Sequence, residues 1–216
     1  EAGRSMGTFG EDCAAKYSFT REQQDAFATA SVQRAKAATE SGAFAAEIVP
    51  VTVKDRSGER VVSVDEGPGK VKLEKIATLK PAFKKDGTIT AASSSSINDG
   101  AAALVMMRES TAKKLGAKPL ARIVSHATHA QEPEWFATAP LGATQKALAK
   151  AGWQVGDVQL WEINEAFAVV PMALMKELDL PHDKVNVNGG ACALGHPIGA
   201  SGARIMVTLI HALKAR

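Results

Sequence analysis

The chemistry of this sequence is densest between Asn186 and Arg204, NVNGGACALGHPIGASGAR, where glycines crowd around a single histidine. His196 has Gly195 before it and Pro197 after it. Glycine lets the backbone come close to another group, and the proline pushes the residue before it into an extended conformation. A histidine framed in this way is positioned, and its neutral ring can take or give a proton near pH 7. A second candidate is Asn164 in EINEAFA, followed by Glu165. It reads either as the N-cap of the alanine-rich helix expected after it or as an amide that fixes a water or an oxyanion. A third polar stretch, TITAASSSS, precedes an apolar run.

Rival motifs carry less. GASGA (Gly199 to Ala203) only approaches a G-x-S-x-G elbow, because Ala203 replaces the last glycine and no strand leads directly into Ser201. GGACALG is not a dinucleotide-binding fingerprint. Cys192 stands close to His196 in sequence and suggests a thiolate–imidazolium dyad, but it lies between two alanines and free cysteine is a commonly buried residue. The two cysteines, Cys13 and Cys192, have no CxxC spacing, which argues against a disulfide framework and a zinc site and suits a reducing compartment. No metal ligand set is expected.

These residues need elements to hold them. Thr20 and Gln23 form a capping-box pattern, predicting a helix from there to about Ser41 closed by Gly42. Glu47–Val53 and Glu59–Glu66 read as a hairpin around DRSG, with Pro50 pushing the first strand toward an edge. EGPGK reads as a loop, and residues 81–100 as turn chemistry in which the serine run is either a linker or an ordered loop. Beyond residue 98, AAALVMM is strand or buried helix, ESTAKKLG a helix, LARIVSHA a strand, GATQKALAKAGW a helix stopped by Gly152, VQLWEI a strand, EAFAVVPMALMKEL a helix and VNVNG a strand; a last helix begins near Ser201. This alternation predicts an α/β layer with a mixed or parallel sheet, with the site in the loops after the strands.

Composition narrows the function classes. The 216 residues are 45% hydrophobic and 23% charged, as in an ordinary globular protein, and no apolar run is long enough to cross a bilayer. A net charge of +3 and 5% aromatic residues do not argue for nucleic acid. Lys70, Lys72, Lys75, Lys80, Lys84 and Lys85 cluster, either as a solvated face or as a patch for a phosphate-bearing ligand. A start at Glu1 without a signal-peptide pattern, and an end inside the amphipathic pattern RIMVTLIHALKAR, read as an excerpt of a longer protein.

NEAFA (Asn164 to Ala168), NVNGGACALGHPIGASGAR and SINDGAAALVMM (Ser96 to Met107), taken together and in order, resemble the thiolase family, within it the acetyl-CoA C-acetyltransferases. The opening MGTFGEDCAAKYSFTREQQDAFA is similar to the segment that follows the first half of a thiolase. The resemblance implies a five-layer αβαβα fold of two similar halves. On that reading residues 1–97 are part of the loop domain, 98–118 the return segment of the N-terminal half, and 119–216 a truncated C-terminal domain. It also implies a cytoplasmic acyltransferase of fatty acid metabolism that is a homodimer or homotetramer. Its reaction is the reversible Claisen condensation of two acetyl-CoA to acetoacetyl-CoA and CoA through a cysteine acyl-enzyme, with the CoA thioester as substrate and no cofactor.

Carried over residue by residue, the resemblance makes His196 the activator of the nucleophilic cysteine and a donor of the first oxyanion hole, and Asn164 the holder of the water that completes it. Ser95 matches the serine that bonds the pantetheine amide. Met6, Phe83, Ala91, Phe136, Ala166 and Phe167 match positions lining the pantetheine tunnel, and the lysine patch would face the CoA phosphates. Both family cysteines fall outside this chain, so the 216 residues alone are expected to be inactive. Ser5 stands where a histidine is common, Gly69 where an arginine is usual, and Ser93 to Ser95 where many relatives have Asn-Ala-Ser. Two alternatives stay open: a non-catalytic acyl-CoA or lipid-binding module, and a ketoacyl synthase-like condensing enzyme, which would prefer a histidine where Asn164 stands.

Overall fold

A computed structural model describes residues 3–216. Helix α1 (Met6–Tyr17) ends at Ser18 in the left-handed region and runs into α2 (Arg21–Glu40). The capping box forms as expected: the Thr20 N–H donates to Gln23 Oε1 at 3.0 Å and the Gln23 N–H to Thr20 Oγ1 at 3.2 Å. Ser41 caps the other end, with Gly42 at φ 75°.

The hairpin is shorter than its pattern suggests. Strands β1 (Val51–Asp55) and β2 (Gly58–Val62) pair antiparallel, and the Asp55 carboxylate accepts from the Ser57 N–H at 2.8 Å inside the turn. Pro50 lacks the N–H that a longer strand would need, and residues 41–47 form turns instead. EGPGK is not a loop but a single helical turn, α3 (Gly67–Lys70), started by Pro68 with its φ already set. The serine run is ordered: Ser93 and Ser94 are buried, and the Ser94 hydroxyl donates to the Thr90 carbonyl at 2.7 Å.

Further along, α4 (Glu109–Leu115) and α5 (Ala139–Ala151) end on Gly116 and Gly152, both at positive φ, as their sequences predict. The expected strands between the helices are mostly absent. AAALVMM and LARIVSHA are neither strand nor buried helix: among the described residues they carry no ladder, and Val105, Met106, Ile123 and Val124 are exposed. A strand is stable only when a neighbour satisfies its backbone groups. VQLWEI and VNVNG meet in one parallel bridge, Trp161 with Val185, after which Asn186 turns into the left-handed region. The helix expected from Glu165 begins later, as α6 (Val169–Leu178). A short turn α7 (Ala191–Leu194) interrupts the glycine-rich run, and α8 (Ile198–Ala215) starts three residues before Ser201.

The main core packs α1 against α6 around Cys13, Ile89, Phe167, Leu174 and Val185. A second contact seats α2 against α7 through Val32, Ala35 and Ala193. These contacts bring the glycine-rich run under α2 and beside EINEAFA.

Candidate active site

Asn164 is not a helix cap, because α6 starts at Val169. The backbone of residues 166–168 is used elsewhere. The Ser95 N–H donates to the Ala166 carbonyl at 3.1 Å, the Ala168 N–H donates to the Ser93 carbonyl at 2.8 Å, and Ser94 bridges Phe167. The serine loop thus acts as a short strand against NEAFA and keeps it extended. Side chains alternate along extended backbone, so Asn164 and Glu165 point to opposite sides.

Glu165 points inward and is fully buried. It accepts from the Ser31 hydroxyl at 2.7 Å, the Asn186 amide at 2.8 Å and the Cys192 N–H at 2.9 Å. One carboxylate therefore joins α2, the turn at Asn186 and the glycine-rich run. Gly190 is glycine because a Cβ there would enter the Glu165 carboxylate. Asn186 continues the broken ladder with its side chain: Oδ1 accepts from the Ile163 N–H and Nδ2 donates to the Ile163 carbonyl, both at 2.8 Å. Neither Glu165 nor Asn186 stood out in the sequence as a site residue.

Asn164, on the other side, comes within 3.3 Å (Nδ2) of His196 Nε2. The His196 N–H donates to the Ser96 carbonyl at 3.0 Å. Gly195 precedes it at φ 84°, packed so tightly on Asn98 that a Cβ would collide with the amide. The other ring nitrogen, Nδ1, lies 2.6 Å from Ser201 Oγ, which in turn lies 3.1 Å from the Pro197 carbonyl. That carbonyl can only accept, so the network assigns the Ser201 hydrogen to it and the imidazole hydrogen to Nδ1. Nε2 is left with its lone pair toward Asn164. Burial, and then the charge of Arg204, hold the imidazole below its ordinary pKa, so it is neutral at pH 7. The signal for Ser201 was its place five residues after His196 at the start of a helix.

Cys192 does not pair with this histidine. Its Sγ faces the Glu165 carbonyl at 4.0 Å, and burial together with the Glu165 carboxylate raises the thiol well above its usual range. Burial also pushes Cys13, on α1, up to about 11. Neither is a thiolate nucleophile.

Other expected site residues fall into groups. Phe83 and Phe136 meet Phe167 edge-on, with ring centroids 5.6 and 6.2 Å away. The Ser95 hydroxyl donates to the Ala166 carbonyl at 3.0 Å, which leaves its lone pairs to accept. Met6, the first residue of α1, and Ala91 are exposed and do not pack into the ring cluster. The six lysines are exposed; among the described residues only Lys70 has an ion-pair partner, Glu66. Beside His196, residues Pro197–Ala200 and Asn98–Ala102 line an open cleft of about 460 Å³. No group of His, Cys, Asp and Glu among the described residues is arranged to hold a metal ion.

Residues 1–110 match the thiolase N-terminal domain and residues 117–216 the thiolase C-terminal domain. The chain belongs to the thiolase family. It is 54% identical to the acetyl-CoA acetyltransferase of Escherichia coli (strain K12) over 215 residues, 99% of this chain and 55% of that protein. The crystal structure of the Bacillus anthracis acetyl-CoA acetyltransferase superimposes with a TM-score of 0.96 at 49% identity, covering 100% of this chain and 55% of that one. Human mitochondrial 3-ketoacyl-CoA thiolase does so with a TM-score of 0.88 at 40% identity, covering 98% and 54%. The fold is therefore the thiolase fold, in part: the chain spans about half the length of the curated relatives it matches. Within this thiolase chain no helix among the described residues is long and apolar enough to cross a membrane.

Proposed function

We propose that the whole protein carrying this chain is an acyl-CoA thiolase, which condenses two acetyl-CoA into acetoacetyl-CoA and CoA and runs the reverse. The observation that carries this is the His196–Asn164 pair, with Nδ1 of His196 tied to Ser201 and Nε2 carrying the lone pair. That arrangement fits a base that takes the proton of a cysteine thiol contributed by another part of the protein. The thiolate adds to the thioester carbonyl, CoA leaves as a thiol, and an acyl cysteine remains. Once protonated, Nε2 becomes a donor toward the developing oxyanion, and the Asn164 amide is close enough to order a water as second donor. A second cysteine, also outside this chain, would remove the α-proton of the next acetyl-CoA, whose carbanion attacks the acyl cysteine.

Around that centre Ser95 accepts from the pantetheine amide, Met6, Phe83, Ala91, Phe136, Ala166 and Phe167 wall the chain of the substrate, and the lysine patch faces the CoA phosphates. The chemistry calls on no cofactor beyond the CoA thioester itself. Exposed Ile97, Val105 and Met106 support the reading that other parts of the protein, or another subunit of a homodimer or homotetramer, cover residues 97–107. A cytoplasmic place in fatty acid metabolism is consistent with this chemistry.

Thiolysis of acetoacetyl-CoA by CoA tests the reading. The full-length protein should turn over, its His196→Ala variant should lose roughly 10³-fold in kcat, and the 216-residue chain alone should be inactive. Near-normal turnover in the variant would remove His196 from the mechanism. Turnover by the chain alone would overturn the need for cysteines from outside it.

A further inference from the structure

Helix α8 turns a polar stripe inward. Ser201, Arg204 and Thr208 are three and four residues apart, on one face of the helix. Each meets a different element. Ser201 holds His196 Nδ1, Arg204 Nη1 approaches Glu162 Oε2 at 3.7 Å, and Thr208 Oγ1 donates to Glu47 Oε1 at 3.0 Å. Ser201 and Thr208 are buried, and the Glu162 side chain is 2% exposed. A packing helix normally buries apolar residues on this face, so the polar stripe calls for another reason.

Glu162 and Asn164 lie two residues apart on an extended segment and so share a side. Asn164 reaches His196, which α8 holds through Ser201. Glu162 reaches Arg204, one turn further along the same helix. These are two rungs between the same two elements. The second is a poor stability device: both Glu162 oxygens and Arg204 Nη1 are buried without a hydrogen-bond partner. Such a pair is costly to bury and adds little by itself.

We propose that Arg204 is a positioning residue for the His196 base: seated on Glu162 one turn beyond Ser201, it fixes the rotation of α8 beneath the imidazole and sets its guanidinium on the face of the helix that holds the ring. This rests on His196 being the base of the site. The charged and titratable groups around the rung are Glu162 and Glu165 on the extended segment, Glu47 before the hairpin, and His211 on α8. Burial lifts the Glu162 carboxyl to about 8 against the pull of Arg204, with Glu165 and Glu47 adding to the rise. Below that pH the charge of Arg204 is not cancelled by its partner, and it acts on His196 in the same direction as burial does.

The test is a titration of His196 in the protein labelled with 13C-histidine, assigned with His196→Gln. Arg204→Gln should move the midpoint to higher pH, whereas Arg204→Lys and Glu162→Gln should leave it where it is. In the full-length enzyme the acid limb of the kcat/KM profile should move with it, by about twofold or more in rate at pH 6. A midpoint unmoved by Arg204→Gln, in a folded variant, overturns the proposal, as does loss of stability without a shift. If Arg204→Gln does not fold, Glu162→Met/Arg204→Met removes the same charge with an apolar pair in its place, and the same two outcomes decide. The titration needs no turnover, so it stands or falls separately from the thiolase reaction.

Discussion

Residues 97–132 and residues 161–204 are alike in sequence texture, each mixing short apolar runs with glycine, serine and histidine, yet they end up in opposite states. The second region is stitched: serine loop to NEAFA, Asn186 to Ile163, Glu165 to three other elements. The first has one short helix, α4, and otherwise little regular structure, with Val105 88% exposed. Apolar content does not separate them. What separates them is whether something within the chain offers partners to the backbone. His196 belongs to the region that finishes itself, and the cleft beside it is shared with the region that does not.

The contrast can be broken most forcefully at Glu165. Glu165→Ala strands three buried donors and should cost about 4 kcal/mol in chemical denaturation; a loss below about 1 kcal/mol would mean that the stitching does not depend on this carboxylate. Glu162 tests the same region through pH. Its carboxyl is raised in the folded state to about 8, so the folded protein holds a proton there that the unfolded chain has released. This group's contribution is thus fully present below the ordinary carboxylate pKa and is lost as pH rises to about 8. Glu162→Gln should therefore gain stability on wild type between pH 5 and pH 8.5, by about 3 to 4 kcal/mol; parallel stability curves would show that the carboxyl is ionised throughout. Ser201→Ala removes two hydrogen bonds, to His196 Nδ1 and the Pro197 carbonyl, and should cost about 2 kcal/mol, while lowering kcat by letting the imidazole change tautomer; an unchanged kcat would separate Ser201 from the base. In the other region Val105→Thr should change the stability of this chain by less than about 0.5 kcal/mol. A larger loss would show that residues 97–132 are covered in solution and would erase the contrast.

Local signals in the sequence were reliable where the physics is local. The Thr20–Gln23 capping box, the Gly116 and Gly152 helix stops and the positioned His196 all stand where their patterns put them. Patterns that depend on distant partners misled. Asn164 before an alanine-rich run reads as a helix cap, but a serine loop about 70 residues earlier in sequence holds that backbone extended and turns the amide to His196. LARIVSHA reads as a strand because its side chains suit one, yet among the described residues no strand pairs with it. Arg204 and Glu162 were invisible because a helix face and an extended segment must first be brought together.

The joint at Asn186 bears on how the protein ages. Its amide is 1% exposed and tied at both ends, with Oδ1 held by one N–H and Nδ2 shared between a carbonyl and the Glu165 carboxylate. Asparagine deamidates when its side chain swings free to be attacked by the next backbone nitrogen, and here that swing would break every one of these bonds. Were it to happen, the resulting aspartate would place a second negative oxygen against Glu165 at a buried position, where charge is poorly screened. The hydrogen bonds that extend the ladder, and the branched Val187 that follows, both hold this amide against deamidation beneath the candidate site.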